Sequence, residues 1–87
     1  MKKTIIVNIS MFTFKQDVRI YDGNQVIDYT TCSMKDLPNT VVAYAKKHDV
    51  NEIKMKGTKA FCQKYGQKIQ EYELKYYNSS NINIDYI

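Results

Sequence analysis

The opening stretch KTIIVNISMFTF (Lys3 to Phe14), with VRIY (Val18 to Tyr21) and QVIDYTTC (Gln25 to Cys32) behind it, decides the fold of this 87-residue chain. Side chains alternate between the faces of a strand, so Ile5, Val7, Ile9 and Met11 share one face and Ile6, Asn8, Ser10, Phe12 and Phe14 the other. Apolar residues on both faces mark a strand in the middle of a sheet. Lys15, Gln16 and Asp17 form a turn into the second strand, and Asp22-Gly23-Asn24 supplies the positive-φ residues of a tight hairpin before the third.

The period changes after Met34. Leu37, Val41, Tyr44, Ala45 and His48 recur at helical spacing, and Pro38 suits a first turn, so a helix runs to about His48 and Asp49. Glu52 to Lys56 then alternates as a fourth strand, punctuated by Gly57-Thr58. In the second helix Phe61, Cys62, Tyr65, Ile69, Tyr72 and Tyr76 form a stripe about 100° wide that can dock on a sheet, with Gly66 beside it for close packing. Asn78-Ser79-Ser80-Asn81 links to a last strand, Ile82 to Ile87.

The resulting order, β-β-β-α-β-α-β, predicts a single α/β domain over residues 1–87. Two short turns make the first three strands an antiparallel meander, and each helix is long enough to return the chain for a parallel strand. With right-handed crossovers the helices share one side of a five-stranded mixed sheet of order 3-2-1-4-5. This arrangement resembles, in minimal form and by topology, the ribonuclease H-like fold that also underlies the actin-like ATPases. The stretch Asn8-Ile9-Ser10-Met11-Phe12 before a glycine-turn hairpin is also similar to uncharacterised small proteins of phages and mobile elements in low-GC bacteria. That second resemblance implies an accessory role.

The first resemblance implies a test. Nucleases of that fold hold two divalent ions on carboxylates at the first strand and near the end of the fourth. Those places read Asn8 and Ser10, and Lys54, Met55, Lys56 and Gly57, and lysines would repel the metal. Asp85 is the sole well-placed acid, which a solvated aspartate explains better. Gly57-Thr58-Lys59 has the order of a phosphate-binding turn, but a strand-to-helix turn capped by Thr58 accounts for it. His48, the only histidine, has no zinc-like spacing to Cys32 or Cys62 and reads as a helix-terminal residue favoured by the dipole. No catalytic, cofactor-binding or metal-binding residue is nominated, and the expectation is a protein that is not an enzyme.

Thirteen Lys and Arg against nine Asp and Glu give a net charge of +4, too modest for a dedicated DNA binder. Two isolated cysteines, Cys32 and Cys62, read as buried thiols. The first ten residues show no cleavage site, and no apolar run reaches the roughly 20 residues that span a bilayer, so the expectation is a soluble cytoplasmic protein without membrane contact.

Two helices on one side leave the other sheet face uncovered. It should carry Ile6, Asn8, Ser10, Phe12, Lys54, Lys56, Asn83 and Asp85, with Arg19 and Tyr21 if the hairpin register holds. Three readings compete: a solvated face, a protein interface including self-association, and a platform stacking bases on aromatics beside cations. Apolar Ile6, Phe12 and Phe14 favour protein contact. The expected partner-binding residues are Phe12, Arg19, Tyr21, Lys54 and Lys56, with nucleic acid as the alternative ligand. Leu74 and Tyr77 on the outer side of the second helix interrupt a polar stripe, as single exposed apolar residues often do.

Overall fold

Alternating isoleucine and valine in the first half, and helical spacing in the second, give seven elements in a computed structural model that describes residues 2–10 and 12–87. In chain order they are β1 (Lys3–Ile9), β2 (Gln16–Asp22), β3 (Gln25–Cys32), α1 (Leu37–His48), β4 (Glu52–Gly57), α2 (Lys59–Tyr77) and β5 (Asn83–Tyr86). The sheet order is β3-β2-β1-β4-β5, as the element order predicts. β1 pairs antiparallel with β2 and parallel with β4, β2 pairs antiparallel with β3, and β4 pairs parallel with β5.

The registers bring apolar residues together on one face. Ile5 stands between Ile20 and Ile53, and Val7 between Val18 and Met55, all fully or almost fully buried. Leu37, Val41, Val42 and Ala45 of α1 and Cys62 and Ile69 of α2 close the same core. Both helices therefore cover one side of the sheet. Each such side chain contributes roughly 1.5–3 kcal/mol when removed from water, and this layer offsets the entropy cost of ordering a small chain.

The helix ends follow local chemistry. Pro38 lies in the first turn of α1, and Lys46, Lys47 and His48 complement the dipole in its last turn. The helix stops where Asp49 turns left-handed (φ 55°) and Val50 N–H donates to Ala45 O at 2.9 Å. α2 ends the same way at Asn78 (φ 51°), whose N–H donates to Leu74 O. Thr58 does occupy the cap position of α2, but its hydroxyl makes no capping hydrogen bond. In the β2–β3 hairpin Gly23 alone takes a positive φ, of 62°.

Several expected boundaries shift. β1 ends at Ile9 and not Phe14, and β2 begins at Gln16 and not Val18. The cause is Gln16, 1% exposed, whose amide oxygen accepts from Ser10 N–H at 2.6 Å and diverts the chain out of the sheet. The expected inward placement of Met11 lies outside the described residues. On α2 the buried line runs Cys62, Gly66, Ile69 and Glu73, whereas Tyr76, expected on the docking stripe, is 60% exposed. Of the two thiols expected to be buried, Cys62 is, and Cys32 is half-buried. On β5, Ile82 just before the strand is buried and Ile84 half-buried, while half-exposed Tyr86 reaches across Gly66. A methyl group at Gly66 would lie 2.5 Å from Tyr86 Oη, which is the close packing expected of that glycine.

Candidate functional site

The face away from the helices is assembled by pairing. Ile6 on β1 stands between Arg19 on β2 and Lys54 on β4, and Arg19 in turn stands beside Tyr29 on β3. One step along, Asn8 lies between Asp17 and Lys56; one step back, Thr4 is beside Tyr21. At the far edge Lys54 pairs with Asp85. Four of the five residues expected to bind a partner, Arg19, Tyr21, Lys54 and Lys56, thus share the uncovered face.

Within it, Ile6, Asn8, Asp17, Arg19, Tyr21 and Lys56 line a shallow depression of about 220 Å³. Its charges are interleaved. Asp17 lies in the row of Asn8 and Lys56, and its Oδ1 accepts from Tyr29 Oη at 3.1 Å. The Arg19 guanidinium covers the Tyr29 ring at 5.0 Å, and the Tyr21 hydroxyl beside it, with Asp17 and Tyr29 behind, holds its pKa above the ordinary value. A tyrosine ring already covered by arginine offers one stacking surface fewer to a nucleobase.

Phe12 is corrected. It lies beyond the end of β1, in the β1–β2 loop, and not on the sheet face. There Phe12 is 90% and Phe14 97% exposed. The loop that carries them is tied internally: Phe12 N–H donates to Ser10 Oγ at 3.2 Å, Thr13 Oγ1 to Lys15 O at 3.0 Å and Gln16 Nε2 to Thr13 O at 3.2 Å. Buried Gln16 therefore bonds both limbs of the loop and holds two phenyl rings out in water. Among the large apolar side chains of the described residues these two are the most exposed, and leaving them in water carries a hydrophobic cost.

The loop abuts the β4–α2 turn. Gly57 pairs with Ile9 at φ +129°, and a Cβ there would lie 1.9 Å from the Ile9 carbonyl oxygen. Only glycine lets the chains approach this closely.

Two polar clusters have no precedent in the linear pattern. Asp28 on the edge strand β3 meets α1: its Oδ2 lies 2.9 Å from His48 Nε2 and its Oδ1 accepts from Tyr44 Oη at 3.4 Å. The backbone N–H of Tyr29, then His48, hold the Asp28 carboxyl below its ordinary pKa, and burial foremost pushes the Tyr44 hydroxyl up. The cluster ties helix to edge strand. Glu73 is 1% exposed and accepts from Lys46, Ser79 and the N–H groups of Asn81 and Ile82, which locks α1, α2 and the approach to β5 together. Among the described residues no group of three or more His, Cys, Asp or Glu side chains is placed to hold a metal ion, and no helix is long and apolar enough to cross a membrane. Burial raises the pKa of both Cys32 and Cys62, which keeps them poor nucleophiles.

No family model and no curated protein matches the chain. Among solved structures, the chain is similar to an exopolyphosphatase from Cytophaga hutchinsonii ATCC 33406, with a TM-score of 0.58 and 12% sequence identity over 99% of this chain. The chain spans 34% of the length of that enzyme. Likeness at this identity carries the backbone path and nothing of the chemistry: the shared feature is the ribonuclease H-like, actin-like topology.

Proposed function

We propose that this is a non-enzymatic binding protein, whose uncovered sheet face and adjoining β1–β2 loop dock another protein or a second copy of itself. The observation that carries the reading is the pair of phenyl rings at Phe12 and Phe14, 90% and 97% exposed on a loop pinned by buried Gln16. Aromatic anchors held in place before binding cost little entropy to bury, and such residues dominate protein interfaces. The half-buried Ile6 and the interleaved charges of Arg19, Lys54, Lys56, Asp17 and Asp85 suit a protein surface of mixed sign better than a uniformly negative one. The resemblance of Asn8-Ile9-Ser10-Met11-Phe12 to small phage and mobile-element proteins suits an accessory role, and with it a cytoplasmic setting, as part of the same proposal.

The near balance of charge on the face makes nucleic acid the second reading there, through Arg19, Tyr21, Lys54 and Lys56. Light scattering over a concentration series, with partner capture alongside, separates the cases for the parent, for Phe12→Ser with Phe14→Ser, and for Lys54→Glu with Lys56→Glu. Loss of mass or capture with the serine pair supports docking by the loop. If both pairs fold and neither changes mass or capture, the reading is wrong.

A further inference from the structure

On the opposite side of the molecule, where α1 and α2 cover the sheet, an open trough of about 640 Å³ runs between the start of α1 and the middle of α2. We propose that this trough binds single-stranded nucleic acid. Its α2 side is aromatic: the Tyr72 and Tyr76 rings pack against each other, centroids 4.4 Å apart and planes tilted by 36°, and Tyr72 Oη is fixed by donating to Asn39 Oδ1 at 3.0 Å. Tyr76 is 60% exposed, and a base reaches the ring face that Tyr72 leaves open by displacing the exposed Lys75 side chain lying over it. Met34 and Pro38 form the facing wall, which gives a slot with apolar surfaces on both sides.

The charge around this slot has one dominant sign. Lys35, Lys68 and Lys75 line it against a single acid, Glu71, and Lys75 Nζ already stands 5.3 Å from the Tyr76 ring centre. This is unlike the sheet face, where acids alternate with the cations. Three ammonium groups call for an anionic ligand, and the exposed Tyr76 ring decides which kind. Carboxylates of an acidic peptide have no use for an exposed aromatic ring, whereas a nucleobase stacks on it while lysines neutralise the flanking phosphates. The trough is open to solvent, so a strand can lie in it, and lysines bind phosphate as mobile point charges without reading sequence. Because the trough and the uncovered face lie on opposite sides of the sheet, both can be occupied together.

The test is fluorescence anisotropy of a labelled oligothymidine or oligouridine of about ten nucleotides, a length within the usual site sizes. Binding is expected at about 50 mM salt and should weaken with a log–log slope of about 2 as salt rises, the value for three phosphates on a single strand. Tyr76→Ala is expected to weaken binding about tenfold, the loss of one stacked base, and Lys68→Glu with Lys75→Glu should abolish it. Circular dichroism verifies that each variant is folded; Tyr76 and both lysines are exposed, so folding is expected to be unaffected. Lys54→Glu with Lys56→Glu, on the other side, should leave the affinity unchanged. Absence of binding at low salt overturns the proposal, as does a parent-like affinity of the folded trough variants. So does loss confined to the Lys54 and Lys56 pair, which would move the site to the sheet face, or competition by polyglutamate as effective as by the oligonucleotide, which would make the ligand an acidic peptide. None of these outcomes bears on whether Phe12 and Phe14 dock a protein.

Discussion

Replacing Glu73 with glutamine should destabilise the fold in a way that depends on pH. The parent carboxylate accepts from Lys46 Nζ at 2.6 Å, Ser79 Oγ at 2.7 Å, Ile82 N–H at 3.0 Å and Asn81 N–H at 3.2 Å. Burial works against its charge, but the four donors prevail and hold its pKa at about 2 against an ordinary 4.5. At about 1.4 kcal/mol per tenfold change in proton affinity the difference amounts to roughly 3 kcal/mol, and solvent reaching Lys46 reduces it to about 2 kcal/mol. The folded carboxyl is the stronger acid, so this contribution is complete above the ordinary value of 4.5 and is lost as the pH falls towards 2. Urea denaturation through that window should show the parent losing about 2 kcal/mol more than Glu73→Gln. At neutral pH the variant should be the less stable by a similar amount, with a Tm lower by on the order of 10 °C. Equal stability at neutral pH, together with parallel curves in acid, would refute the assignment of Glu73 as the tie between the helices and β5.

Three further outcomes can be measured on the same material. Gly57→Ala places a Cβ 1.9 Å from a backbone oxygen at φ +129°, so a loss of at least about 3 kcal/mol is expected by denaturation. Gly66→Ala meets mainly the tip of half-exposed Tyr86, which can swing aside, and alanine favours the helix by about 1 kcal/mol, so stability should stay within about 1 kcal/mol of the parent. Thiol labelling near pH 8 should modify half-buried Cys32 first and reach buried Cys62 only as the protein opens, so the slow phase should accelerate with denaturant while the fast one does not.

The sheet was legible because its signals are local. Ile5, Val7, Val18, Ile20, Ile53 and Met55 alternate within single strands, and Pro38 and Gly23 mark turns by their own geometry. The β1–β2 loop was not legible, since Met11 to Phe14 continues the apolar alternation, and the residue that ends the strand is a glutamine acting through its side chain. Nothing in the local pattern distinguishes Gln16 from an ordinary turn residue. Glu73 escaped for another reason: Lys46 is distant in sequence, and a helical glutamate reads as solvated until the fold brings the lysine over. The same holds for Asp28 and His48, which meet only when α1 lies against the edge strand. Of the candidate site, Arg19, Tyr21, Lys54 and Lys56 followed directly from register, and Phe12 did not because the strand carrying it ended early.

The two borders of the sheet are unequal. β3 offers eight residues along one border, whereas β5 offers four. A second sheet can add in register over a useful length only to β3. The matching border on another copy is again β3, and two such borders join through a two-fold axis that uses both up. Edge-to-edge pairing through β3 would therefore close at two copies, because the short β5 border gives a third sheet little to add to.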